Sequence, residues 1–432
     1  MYKYLVAYVL LTPLLGIWFV EHGEYAGSIG VDGYPNGAFF AFGAYVLGTV
    51  LVALVVGRRR HVHTMPAGPV THEAVAGYLF RNFAASLLVF NLAFLILFLL
   101  GFGAINVWLG AIQKGEFRAN LGQFGALPNL MTKFVTPALV AYATVLYSKT
   151  SRKGITRLWW YANLLVAFII GASWGYKASA MTILLPALLV LNWRVRLRTL
   201  FAIGLVFMGT LILFFNIFDA GVLTDSDVEV FLFRRVTVLT GDVSWYIWDQ
   251  FRQGETFPDY WQTLLAAFGD TTLTALGLNR TDPYQWMLYH YDWMINYLAG
   301  QPFDWTESGN SLTGTPFSEG IVAGGLAGLA LFTVLAGVLV GGTYRILDRA
   351  LRTGRDAQAA MIATYFCFGI FTWLNGGAIV QLFHISLLVS VTITYAVLSF
   401  VRRFRVLRIP AAVRRMALEK LDRTQASYAG PG

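Results

Sequence analysis

Charged residues are scarce in this chain. Only 13% of its 432 residues are Asp, Glu, Lys or Arg, whereas a soluble domain carries roughly a quarter. So few charges do not cover a soluble surface of this size. Cysteine is nearly absent: Cys367 stands alone inside an apolar run, which excludes an intramolecular disulfide. No P-loop, no GxGxxG after a strand and no HExxH occurs. No internal repeat is visible. Ionisable residues are also rare inside the apolar runs, where proton-coupled transporters usually place them.

What the chain has instead is apolar length. Hydrophobic residues make up 57% of it, in runs close to the roughly 20 residues that cross a hydrocarbon core. The runs cover 3–20, 36–57, 78–102, 128–147, 157–174, 178–193, 199–218, 320–342, 357–374 and 378–401. Lipid offers the backbone no hydrogen bonds, so each run is expected to be a helix. The predicted class is an all-α polytopic membrane protein with about ten transmembrane helices. The first run also fits a signal peptide, but it reads better as an uncleaved helix, since its removal leaves nine crossings. The organisation expected is helices one to seven in 1–218, a large outer loop in 219–319, helices eight to ten in 320–401 and a basic tail in 402–432.

The charges assign the sides. With ten crossings, one side collects 24 of the 32 Lys and Arg against five acids, a net charge of +19. The other side holds eight bases and 18 acids, a net charge of −10. Cytoplasmic loops carry the Lys/Arg excess, so both termini are expected inside and the 219–319 loop outside. The cytoplasmic loops are short and leave no room for a domain that binds a nucleotide sugar. The basic clusters are short and scattered, without a stacking motif, so no nucleic-acid partner is expected. Reporter fusions after Arg403 and within 259–270 are expected to report opposite sides of the membrane. The same side for both would overturn this topology.

The large loop is too aromatic for a linker. It contains Trp245, Trp248, Trp261, Trp286, Trp293 and Trp305. A helix is expected within 228–251, where Phe231, Val238, Trp245, Trp248 and Phe251 repeat at helical spacing. A second, amphipathic helix on the membrane surface is expected over 260–276. Two readings fit the tryptophans: anchoring at the lipid interface, or stacking of Trp245, Trp248 and Trp286 on the apolar faces of sugar rings.

Polar residues in this setting need a reason. The eight outer bases are Lys114, Arg118, Lys133, Lys177, Arg234, Arg235, Arg252 and Arg280. Arg234 and Arg235 lie among apolar residues, and a guanidinium suits phosphate because its fork donates two parallel hydrogen bonds. Ion pairing to Asp225, Asp227 or Glu229 is the plainer reading. Lys177 sits in the hairpin Gly175-Tyr176-Lys177-Ala178-Ser179, placed either to meet an anionic head group or to snorkel. Glu319 follows Pro316-Phe317-Ser318 at the start of a Gly-rich run. It is either a first-turn acid complementing the helix dipole or a proton acceptor. Thr315 and Ser318 fit as N-caps. Gly320, Gly324, Gly325 and Gly328 would admit a second helix closely. Asp242 and His290 are the other candidates for proton transfer. His384 fits a helix–helix hydrogen bond better than a catalytic role.

Three of these stretches together resemble the Wzy-type polymerases of O-antigen and exopolysaccharide synthesis, which belong with the O-antigen ligases among GT-C-like glycosyltransferases. They are the basic hairpin at Lys177, the Phe233-Arg234-Arg235-Val236 opening of the outer loop, and the Pro316-Phe317-Ser318-Glu319-Gly320 stretch. Family members often carry Arg at the hairpin, where this chain has Lys177. The resemblance implies polymerisation of undecaprenyl-diphosphate-linked oligosaccharides at the periplasmic face of a bacterial inner membrane. Arg234, Arg235, Lys177 and Arg118 would hold the diphosphate, and Glu319, Asp242 or His290 would receive the acceptor's proton. Neither a cofactor nor a metal is expected. Besides the lipid bilayer, implied partners are a flippase and chain-length or export proteins. Two alternatives stand beside it. One is a lipid-linked-sugar transferase or ligase, in which Glu21 and Glu24 would matter. The other is a polysaccharide flippase, which would favour repeats and broken helices, neither of which is evident in the sequence.

Overall fold

A computed structural model describes residues 1–23, 33–58, 73–112, 114–150, 154–174, 177–191, 241–278, 282–307 and 314–407, with 209, 238 and 312. Among these residues the fold is all helical. The principal helices are α1 (Tyr2–Glu21), α2 (Ala38–Gly57), α3 (Glu73–Ile96), α4 (Thr136–Ser148) and α5 (Ile155–Ala172). They continue as α6 (Asp242–Arg252), α7 (Pro283–Tyr289), α8 (Tyr291–Leu298), α9 (Pro316–Arg352), α10 (Asp356–Tyr365), α11 (Phe371–Gly376) and α12 (Ile385–Leu407).

Eight helical segments of the described residues are long and apolar enough to cross a membrane, so the chain is a multi-pass membrane protein. They match eight of the ten runs read from the sequence. The run 178–193 appears as a shorter apolar helical stretch, Ser179–Leu191. The run 199–218 lies outside the described residues, apart from residue 209.

The helices fall into two compact units. One comprises 61–207, 347–364 and 391–432. Its most buried span is Ala126–Ser148, in which an 18-residue apolar window is 89% buried. Polar side chains stitch this interior together, as lipid-embedded helices require when no hydrophobic force drives them together. Trp160 donates to Thr144 Oγ1 at 3.0 Å, Trp174 to Thr132 Oγ1 at 2.8 Å, and Asn163 to the Ala84 carbonyl at 2.9 Å. Lys149 pairs with Asp356 at 2.7 Å.

The other unit comprises 1–60, 208–346 and 365–390. Here α2 and α9 meet through small residues. A Cβ added at Gly341 would lie 2.5 Å from the Ala53 carbonyl oxygen, so only glycine permits this approach. The opposite face of α2 presents Phe40, Leu47, Leu51, Leu54 and Val55 as exposed apolar side chains, a stripe suited to lipid.

Helix α9 departs from the sequence reading. Gly320 and Gly328 do admit a close neighbour, but for each the neighbour is another turn of the same helix. Gly324 and Gly325 leave helical geometry, the latter at φ +59°. Gly320 then lies against Gly328 and Leu329, and a Cβ on it would come within 2.9 Å of Leu329 Cα. In a straight helix, eight residues span about 12 Å. The first two turns of α9 are therefore bent sharply back. Further irregularities interrupt the spans: π-helical turns at Leu97–Gly101, Met131–Val135 and Phe366–Ile370, and a break after α11 with Gly377 at φ +72° and Ala378 at φ +62°. The interrupted helices that a transporter would favour are thus present, against the impression left by the sequence.

The described part of 219–319 folds into short helices. The stretch predicted as one amphipathic helix over 260–276 is instead a 3₁₀ helix, Tyr260–Phe268, and a short α-helix, Asp270–Ala275, separated by Gly269 at φ +86°. The pattern explains it. A 3₁₀ helix has three residues per turn, and Tyr260, Thr263 and Ala266 form one buried stripe while Trp261, Leu265 and Phe268 stay exposed. The helix expected within 228–251 is seen as α6. Residues 228–240 lie outside the described residues, apart from Val238.

Candidate functional site

Glu319 organises the centre of its unit. Thr315 precedes α9, Pro316 takes the first helical position where its missing N–H costs nothing, and Ser318 accepts from the Thr315 N–H at 2.9 Å. This half of a capping box fixes the first turn. Thr315 is also tied to Ser244 of α6 at 2.8 Å. The turn points Glu319 fully inward, with no exposure.

Three donors converge on its carboxylate. The Tyr260 hydroxyl donates to Oε1 at 2.5 Å and the Ile379 backbone N–H donates to the same atom at 2.6 Å. The Trp373 indole donates to Oε2 at 2.8 Å. Among the described residues no ion pair reaches it. Glu319 therefore joins the 3₁₀ helix of the loop, α11 and the broken segment after α11. Burial, and then the nearby carboxylate, push the Tyr260 phenol well above its ordinary pKa, so it remains a donor. The Tyr291 phenol is raised by the same causes. Its side chain fills the space left by Gly314 and Gly377, where a Cβ would fall 2.5 Å from the hydroxyl and 2.6 Å from the ring.

The other two candidates for proton transfer differ from each other. Asp242 is fully buried at the start of α6, where its Oδ1 accepts from the Val243 N–H at 2.7 Å. His290 links α7 to α8 in extended conformation and stacks on Trp286 at 4.2 Å. Its Nδ1 faces the Trp286 carbonyl at 3.1 Å and its Nε2 faces Asp270 Oδ1 at 3.1 Å. The Asp270 side chain is 64% exposed. His384 belongs to the same neighbourhood: a Cβ on Gly269 would lie 3.8 Å from its ring, and its Nδ1 is engaged by Ser386 at 2.7 Å. It is not the helix–helix contact expected.

The three tryptophans proposed as sugar platforms are occupied in packing. Trp245 has no exposed surface and donates to the Tyr34 carbonyl at 3.2 Å. Trp248 donates to the Asn36 carbonyl at 3.2 Å and packs on Phe251 and Phe317. Trp286 is buried under His290. These bonds hold the link 33–37 to α6, and Asp249 completes the clasp by accepting from Tyr34 and Asn36 at 2.8 Å and 3.1 Å. Among the described residues of this loop the exposed rings are Trp261, Phe268, Tyr284 and Tyr297.

Arg234 and Arg235 lie outside the described residues. Arg118 lies in the helix Lys114–Leu121 and Lys177 opens the helix Lys177–Thr182, but neither side chain is among those described. Glu21 is buried and accepts from the Phe39 N–H at 3.2 Å, a structural use, while Glu24 is outside the described residues. Among the described residues no cluster of His, Cys, Asp and Glu suits a metal ion.

The residues the sequence did not single out are Tyr260, Trp373, Asp249 and Asp270. The first two meet Glu319 across 59 and 54 positions of chain. No local pattern encodes such pairings. For Asp270 a faint signal existed, an acid beside a glycine at a helix start. No protein-family model, curated protein or solved structure matches this chain.

Proposed function

We propose that this multi-pass membrane protein is a glycosyltransferase that polymerises lipid-diphosphate-linked oligosaccharide repeats at the outer face of a bacterial inner membrane. The supporting observation is the exposed Asp270 held by the half-buried His290, on a folded aromatic loop whose preceding helix is pinned to Glu319. In this reading Asp270 receives the proton of the acceptor sugar hydroxyl. His290 orients that carboxylate through Nε2, and Glu319 is a positioning residue, because it is sealed from solvent and surrounded by donors. The hydroxyl oxygen bonds to the anomeric carbon of the lipid-linked chain as the bond from that carbon to the diphosphate breaks. The charge left on the diphosphate needs cations where it develops, a task for Arg234, Arg235 and Lys177.

The test uses purified protein and one lipid-linked repeat unit. A ladder of products is expected, and Arg234→Ala or Arg235→Ala should shorten or abolish it at unchanged protein level. A single added unit would favour a ligase or simple transferase. Normal ladders from both Arg variants would remove the diphosphate role. A second reading, a flippase, is favoured by the interrupted helices around Glu319. It predicts movement of the lipid-linked saccharide across vesicles and no new glycosidic bond.

A further inference from the structure

A groove of about 540 Å³ opens where the N-terminal end of α1 meets the C-terminal end of α2 and the second half of α9. That volume lies within the range of small-ligand sites, about 300–1,000 Å³. It exists because the facing positions are small: Ala7 on α1, Ala53 and Gly57 on α2, and Gly341 on α9. The Tyr2 hydroxyl at its wall is already satisfied by the Val340 carbonyl at 2.8 Å. The interior is otherwise mostly apolar, and its charged lining consists of Lys3 and Arg58, with no acid. Both cations are exposed.

We propose that this groove is a binding site for an anionic membrane phospholipid, with an acyl chain between the helices and the phosphate against Lys3 and Arg58. In a bilayer, apolar surface gains little by exchanging one hydrocarbon neighbour for another. Selectivity must then come from the head group. Two cations without an acid favour net negative charge, by about fivefold for each cation. The site is separate from the Asp270–His290 pair and does not depend on the enzymatic reading.

The experiment purifies the full chain from vesicles of equal phosphatidylglycerol and phosphatidylcholine with matched acyl chains. Retained lipid is counted by native mass spectrometry. Enrichment of phosphatidylglycerol is expected. Lys3→Gln and Arg58→Gln should each lower it about fivefold. Ala7→Trp, which fills the groove, should lower the total lipid retained. Melting temperatures confirm that each variant is folded, and the two Gln variants decide the matter if Ala7→Trp does not fold. Equal retention of both lipids, or enrichment unchanged in the double Gln variant, overturns the proposal. So does a dimer that forms on lipid removal and is lost in Ala7→Trp, which would make the groove a self-association face.

Discussion

Glu319→Gln is expected to destabilise the folded protein by about 1–3 kcal/mol, the cost of orphaning one buried donor. The carboxylate accepts from three donors, and two of them, the Trp373 indole and the Ile379 backbone N–H, cannot reverse their polarity. They approach different oxygens. A glutamine amide placed either way sets its NH₂ against one of them. The dipole effect read from the sequence alone would cost less, typically under about 1 kcal/mol. Thermal unfolding in detergent measures the difference. Limited proteolysis near 253–259 should report a loosened loop as Tyr260 loses its anchor. Tyr260→Phe should loosen the same loop without disturbing Trp373. Wild-type melting and protection in Glu319→Gln would show that the three hydrogen bonds do not hold this region.

Asp270→Asn is expected to slow repeat-unit transfer by about 10²–10⁴-fold, the usual worth of a positioned general base. Stability should change little, because this side chain is largely exposed. His290→Ala should also slow transfer, since Asp270 loses the ring nitrogen that orients it. His290→Gln should restore part of the rate by supplying a donor to the same carboxylate oxygen. Together these variants separate proton transfer from scaffolding: Glu319→Gln loses stability and activity in parallel, Asp270→Asn loses activity alone. Undiminished transfer by Asp270→Asn would move the proton acceptor elsewhere. A wild-type protein that makes no product at all would instead sink the enzymatic reading itself.

The contrast between Glu319 and Asp270 shows how far the sequence reaches. Glu319 was legible as special because an acid before a Gly-rich apolar run is conspicuous in lipid. Its environment was not, since Tyr260, Trp373 and Ile379 come from two distant stretches. Trp245 and Trp248 illustrate the reverse limit. Their spacing correctly marked a helix, but spacing does not say whether a ring faces a ligand or a neighbour. Here they face the 33–37 link.

The sequence by itself determined that this is a helical membrane protein, and where eight of its spans lie. Those features follow from apolar length and from the backbone's need for internal hydrogen bonds in lipid, both properties of contiguous residues. The tertiary structure alone decided that α9 bends back on its own glycines, that the 260–276 stretch divides at Gly269, and that Glu319 is sealed while Asp270 is open. Each depends on which distant surfaces compete for the same space. Glycine permits a sharp bend without requiring it, and a carboxylate is buried only where separate elements bring it enough donors.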